Sequence, residues 1–268
     1  MMARAGSLAW SAMVALSILV GLAYERANAP AVGAPPATQA QPTPPAAPQA
    51  ILVFSKTAGF RHESIPAGIE AIKRLGDTGE FRVDATEDAN AFTDDNLSRY
   101  AAVVFLNTTG DVLDEHQQRA FERFIRSGRG FVGVHAASDT EYDWPWYGHL
   151  VGAYFSGHPA IQPATIRVVD RQHASTRHLP EQWQRTDEWY NFRAPPAKDV
   201  SVLAVLDESS YEGGTMSGSH PIAWCHQFEG GRAWYTGGGH TVESYAEQQF
   251  MNHLLGGIRW AMKPDPQQ

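Results

Sequence analysis

Four short segments place imidazoles, carboxylates and amides beside small or turn-forming residues, the combination found where a backbone turns sharply to present reactive side chains. They are Gly59-Phe60-Arg61-His62, Asn107-Thr108-Thr109-Gly110, His135-Ala136-Ala137-Ser138-Asp139 and Gly237-Gly238-Gly239-His240-Thr241. Each comes after a run that reads as a strand, and in open parallel sheets ligands gather where strands end and loops begin. His135 and His240 are the principal catalytic candidates. Imidazoles on neighbouring strand ends can act as a general acid/base pair. They can equally bind a divalent metal such as zinc, with His62, His158 or a carboxylate as further ligands. Both alternatives stay open, because the chain has no H-E-x-x-H or comparable ligand spacing. Asp139 is either a catalytic carboxylate or a cap on the helix after the turn.

Asp187-Glu188-Trp189-Tyr190-Asn191 gathers two carboxylates, two aromatics and an amide in a non-repetitive stretch. Such a set suits a polyol: Trp189 and Tyr190 would pack on C–H surfaces, while Glu188 and Asn191 pair with hydroxyls. Glu188 joins the catalytic candidates. Arg61 would meet either a substrate oxygen or Glu188, and His62, Asn107 and Thr241 complete the binding set. The competing reading is a loop whose aromatics cover the core and whose carboxylates meet solvent or Arg193. Trp144, Trp146 and Tyr147 read as packing beneath a long loop in preference to a lid. The only cysteine, Cys225, lies between Trp224 and His226 in an apolar run, so it reads as a packing residue and cannot form an intramolecular disulfide.

The elements that must position these residues alternate along the chain. Residues 51–54, 102–106 and 130–134 are short continuous apolar runs, as expected of strands buried on both faces. Between them lie apolar positions at helical spacing (Ile65, Ile69, Ile72, Leu75), a strand-like 81–84, and a helix over 114–127. Later come strands over 201–206, 222–228 and 232–235, the last two joined by Glu229-Gly230-Gly231 as a hairpin, and a closing helix over 242–262. This rhythm predicts an α/β fold with a mostly parallel central sheet covered by helices, in one domain over 50–263 with a short tail over 264–268.

The 268 residues, 43% hydrophobic with 8 Trp, 9 Tyr and 12 Phe, are ample for a sizeable core. A net charge of −8 with no run of Lys or Arg argues against nucleic acid as a partner. Arg4, the mostly apolar stretch 8–24 and Ala27-Asn28-Ala29 read as a signal peptide over 1–29, with an uncleaved membrane anchor as the alternative. Either way the expectation is an exported, periplasmic or secreted domain. Residues 30–49 are uncharged and rich in Ala, Pro and Gln, the composition of a disordered linker.

In combination, Gly59-Phe60-Arg61-His62, 133–139, Gly157-His158-Pro159, 187–191, Pro221-Ile222-Ala223-Trp224 and 231–240 resemble the ThuA-like (trehalose utilisation) family from about Ile51 to Trp260. The resemblance implies a class I glutamine amidotransferase-like, flavodoxin-like three-layer αβα sandwich. In the amidotransferases the turn after the third of these apolar strands carries a nucleophilic cysteine; here His135 stands there, so amidotransfer is not expected. His240 aligns with the amidotransferase histidine, but the acidic residue that should follow closely is missing, since Glu243 is three positions on. The resemblance further implies an enzyme of carbohydrate metabolism, a hydrolase, lyase or isomerase acting on a disaccharide or a keto-sugar derived from one. A non-catalytic carbohydrate-binding protein is the alternative. Both take a small-molecule carbohydrate as partner.

Overall fold

The structure, a computed structural model, describes residues 49–77 and 80–263. The expected signal peptide and linker therefore fall outside the described residues, except that Gln49, expected at the end of the linker, opens the first strand. In chain order the elements are β1 (Gln49–Phe54), α1 (Ile65–Gly76), β2 (Phe81–Thr86), α2 (Asp94–Leu97), β3 (Ala102–Leu106), α3 (Glu115–Arg126), β4 (Gly130–Val134) and α4 (Pro145–Val151). They continue with β5 (Phe155–Gly157), β6 (Gln162–Val168), β7 (Gln182–Asp187), β8 (Asn191–Phe192), β9 (Ser201–Leu206), β10 (His220–Phe228), β11 (Gly231–Thr236) and α5 (Gln248–Met262).

Nine strands form one sheet in the order β2-β1-β3-β4-β11-β10-β9-β6-β7. The first five are parallel neighbours, in the 2-1-3-4-5 order of flavodoxin-like sheets. From β11 onward every pairing is antiparallel, so β10 and β6 run against the other seven strands. The apolar runs of β1, β3 and β4 are buried along their length apart from Gln49, because helices cover both faces. Adjacent residues of β11 show the two faces. Trp234 points to α5, where it meets His253, while Tyr235 points the other way, against the side chain of Trp224 and beneath Gly133. On that second face Phe105, Phe121 of α3, Phe131 and Tyr147 of α4 pack ring to ring. Each such fully buried ring contributes roughly 1.5–3 kcal/mol.

Helix α3 begins as its sequence indicates: Asp114 caps the amides of His116 and Gln117, and Gln117 returns a bond to the Asp114 amide. The β10–β11 hairpin turns on Glu229 and Gly230, both at positive φ, the primed turn that matches strand twist. The closing helix starts later than expected. Residues Glu243–Ala246 form a 3-10 turn and Glu247 is extended, because Ser244 and Glu247 turn inward to the Arg185 and Asp187 side chains. The stretch 187–191 is likewise no free loop: Asp187 ends β7 and Asn191 opens β8.

Candidate functional site

At the carboxyl ends of β1, β4, β7 and β11 four side chains converge. One ligand atom from each of His62, His135, Glu188 and His240 lies within 4.8 Å of the other three. The three imidazole centroids form a near-equilateral triangle with sides of 5.0, 5.0 and 5.1 Å. His135 Nε2 is 3.2 Å from His240 Nδ1 and 3.4 Å from Glu188 Oε2, and His240 Nδ1 is 3.0 Å from the same oxygen.

His135 follows β4 directly with φ 47°, a left-handed conformation that non-glycine residues rarely adopt. That strained turn lifts the imidazole off the strand end. Its Nδ1–H donates to the Gly237 carbonyl at 2.8 Å, which leaves the Nε2 lone pair facing the cluster. Tyr190 lies over the ring with centroids 4.0 Å apart. His240 is set by the Gly237–Gly239 turn, where Gly239 has φ 109° and lies so close to Tyr245 and Val134 that a side chain would not fit. The amides of Gly239 and His240 donate to Asp187 at 2.8 and 3.1 Å. Asp187 also accepts the Glu188 amide and the Ser244 hydroxyl, and pairs with Arg185 at 3.0 Å. One fully buried carboxylate thus fixes both Glu188 and His240. Asn107, itself at φ 52°, donates to Ser64 and to the Gly239 carbonyl, tying the loop after β1 to the same turn.

Burial and charge act differently on the members of the cluster. Burial, reinforced by the neighbouring His135 and His240, lowers the His62 pKa to about 3. Burial alone would raise Glu188, but the adjacent imidazoles of His135 and His240 hold it well below the usual carboxylate range. For His240 burial pulls downward and is outweighed by the hydrogen bond and charge of Glu188, so its pKa rises. His62 Nδ1 is buried with no hydrogen-bond partner. An orphaned nitrogen of this kind costs free energy unless something fills its lone pair or takes its proton.

These observations fit a first-row divalent cation. Adjacent ligands about 2.1 Å from a metal are separated by roughly 3.0 Å at an octahedral centre and 3.4 Å at a tetrahedral one, which brackets the spacing of His135, Glu188 and His240. Three imidazoles and one carboxylate suit zinc and its neighbours.

The other sequence candidates sit elsewhere. His158, nominated as a ligand, stands outside the four and reaches the far oxygen of Glu188, its Nδ1 3.0 Å from Oε1. Glu188 is the fourth member of the group instead; no ligand spacing could show this, since it follows β7, distant in sequence from the three histidines. Arg61 pairs with Glu87 on the surface and not with Glu188. Asp139 accepts from Tyr142 at 2.5 Å, and burial, opposed by that bond, raises its pKa. Thr241 bonds Ser244 at the start of the 3-10 turn. Trp189 is fully buried and donates to the Gln162 carbonyl, so it offers no face to a ligand. Asn191 spends both amide atoms on Gly213 and Thr215, and Tyr190 covers His135 from within the core. Cys225 is buried in β10, as expected of a packing residue. The residue missed altogether as a site member was Asp187. It was visible only as half of an Asp-Glu pair, with nothing nearby in sequence to mark its carboxylate as buried.

Comparison with curated proteins finds no match. Among solved structures, a ThuA-like protein from Bacteroides uniformis is 26% identical, over 85% of this chain and 98% of that one, with a TM-score of 0.72. Another, from Parabacteroides merdae, is 20% identical over 81% of this chain and 90% of that one, with a TM-score of 0.67. A β-galactosidase from Bacillus circulans sp. alkalophilus is similar in fold alone: 13% identical, 82% of this chain against 32% of that one, TM-score 0.53. The family model described as ThuA, trehalose utilisation, matches residues 50–261, and the chain belongs to that family.

Proposed function

We propose that this protein is an exported, metal-dependent enzyme of carbohydrate metabolism, acting as a hydrolase, lyase or isomerase on a disaccharide or keto-sugar derivative. The observation that carries the reading is the convergence of His62, His135, Glu188 and His240, one ligand atom from each, within 4.8 Å of one another. The family description, trehalose utilisation, supports the substrate class. Export rests on the composition of residues 1–29.

A divalent ion held there would polarise a carbonyl or hydroxyl oxygen of the substrate. The chain's own groups do the rest. Gly237 and Asp187 keep His135 and His240 aimed, and Tyr190 closes the inner side of the His135 ring. His158, whose side chain is 42% exposed, joins the outer oxygen of Glu188 to solvent and offers a path for a proton to or from that carboxylate. The binding-only alternative relied on Trp189 and Tyr190 as sugar platforms, and both side chains are committed to the core.

Elemental analysis of the purified protein tests the reading. We expect about one divalent ion per chain in the wild type, lost in His135→Ala, His240→Ala and Glu188→Gln variants that remain folded. With a keto derivative of trehalose in D2O, the metal-loaded wild type should exchange the hydrogen beside the carbonyl or convert the sugar, as followed by proton NMR. A wild type that holds no metal under saturating zinc would overturn the metal-dependent reading.

A further inference from the structure

The described residues leave four large apolar side chains exposed: Phe60 at 64%, Val242 at 49%, Ile161 at 48% and Val169 at 44%. Three of them flank the site in sequence, Phe60 two residues before His62, Val242 two after His240, and Ile161 three after His158. Phe60 is the most exposed, and its ring meets that of His62 edge to face, with centroids 4.9 Å apart and planes at 89°. It does not sit on a loose tip. The Ala58 and Gly59 amides donate to the Thr109 carbonyl at 2.7 and 3.3 Å. The Thr109 hydroxyl donates to the Phe60 carbonyl at 2.8 Å, and Arg61 is anchored on Glu87. A phenyl ring left in water forgoes the roughly 1.5–3 kcal/mol that burying it would contribute. Here the surrounding backbone is fixed so that the ring stays out, beside a cluster of ionisable groups. An exposed apolar ring beside a polar cluster matches a pyranose, whose hydroxyls lie around the ring edge and whose C–H groups form an apolar face.

Resting on the carbohydrate reading above, we propose that Phe60 is the platform on which a pyranose ring of the substrate stacks, with the sugar oxygens directed toward His62, His135, Glu188 and His240. Phe60 thereby takes the role that the sequence alone assigned to Trp189 and Tyr190.

Calorimetric titration of the zinc-loaded protein with trehalose and with methyl α-D-glucopyranoside tests this. D-glucitol serves as an open-chain polyol that has hydroxyls but no ring face. Phe60→Ala should weaken both pyranosides about 3- to 10-fold, the range set by aromatic stacking. Phe60→Trp should restore the affinity. Zinc content and the response to glucitol should be unchanged in both, and Val169→Thr, an exposed apolar residue that does not flank the site in sequence, should bind as wild type. A wild type that binds the pyranosides and a Phe60→Ala variant that binds them equally well would overturn the platform alone. Zinc loss in Phe60→Ala would make the ring a support for His62 and also overturn it. A wild type that binds neither pyranoside would overturn the platform, while the carbohydrate reading falls only if the keto derivative of trehalose is also neither bound nor converted.

Discussion

At the scale of single residues, the candidate site depends on a carboxylate that stands outside the cluster and bonds only the backbone of its members. Asp187 is fully buried and receives two amides of the Gly-rich turn, the Glu188 amide, the Ser244 hydroxyl and the Arg185 guanidinium. Asp187→Asn keeps the volume but sets an amide NH2 among donors and leaves Arg185 short of a charge. Breaking a buried pair in this way costs about 3–5 kcal/mol, so the denaturant midpoint should fall accordingly. Because the same side chain aims His240 and Glu188, zinc affinity measured by competition with a chelator should drop about 10- to 100-fold. Cys225 should behave oppositely, as a bystander. It is buried, and burial pushes its thiol up to about 12. Iodoacetamide should leave the native protein unlabelled and metal content unaltered, while denatured protein labels at one site; rapid native labelling would contradict this.

At the scale of elements, the site is held from beneath by α5. Gly257 faces Trp234 of β11 so closely that a Cβ would sit 2.4 Å from the indole. The helix and the strand leading to His240 therefore approach at a distance only glycine permits. Gly257→Ala must push α5 or Trp234 aside, and thermal or denaturant unfolding should show a loss of about 1–3 kcal/mol despite the better helix propensity of alanine. An unchanged midpoint would mean that the contact relaxes without cost.

For the whole molecule, buried neutral histidines make stability depend on acidity. His253 is enclosed, bonded through Nδ1 to the Ser175 carbonyl and through Nε2 to Thr236, and burial lowers its pKa to about 3. His173 and His226 are shifted down for the same reason. As pH falls below about 6.5 the unfolded chain takes up protons that the folded chain refuses. The contribution of neutral His253 is therefore complete above about pH 6.5 and is lost progressively toward pH 3. Urea unfolding of the metal-free protein should show a falling midpoint across that window, and His253→Gln should flatten the slope.

The sequence by itself determined the parallel core. The runs of β1, β3 and β4 are apolar along nearly their whole length because both faces are covered, and Asp114 with Gln117 marks the start of α3, so pattern and capping sufficed. It also determined that the reactive groups lie after strands, which is how His62, His135 and His240 could be named. The strands from β5 to β8 did not read as strands. In β7 every second residue is buried, but those residues are Trp183, Arg185 and Asp187, so burial alternates where hydrophobicity does not. Charges enter that core only because they satisfy one another there, and such pairing joins residues distant in sequence. For the same reason only the tertiary structure decided that Glu188 and not His158 completes the cluster, that Trp189 is core, and that Phe60 stands in water. Ligand convergence and exposure are properties of loops brought together from several strand ends, and no spacing along the chain encodes them.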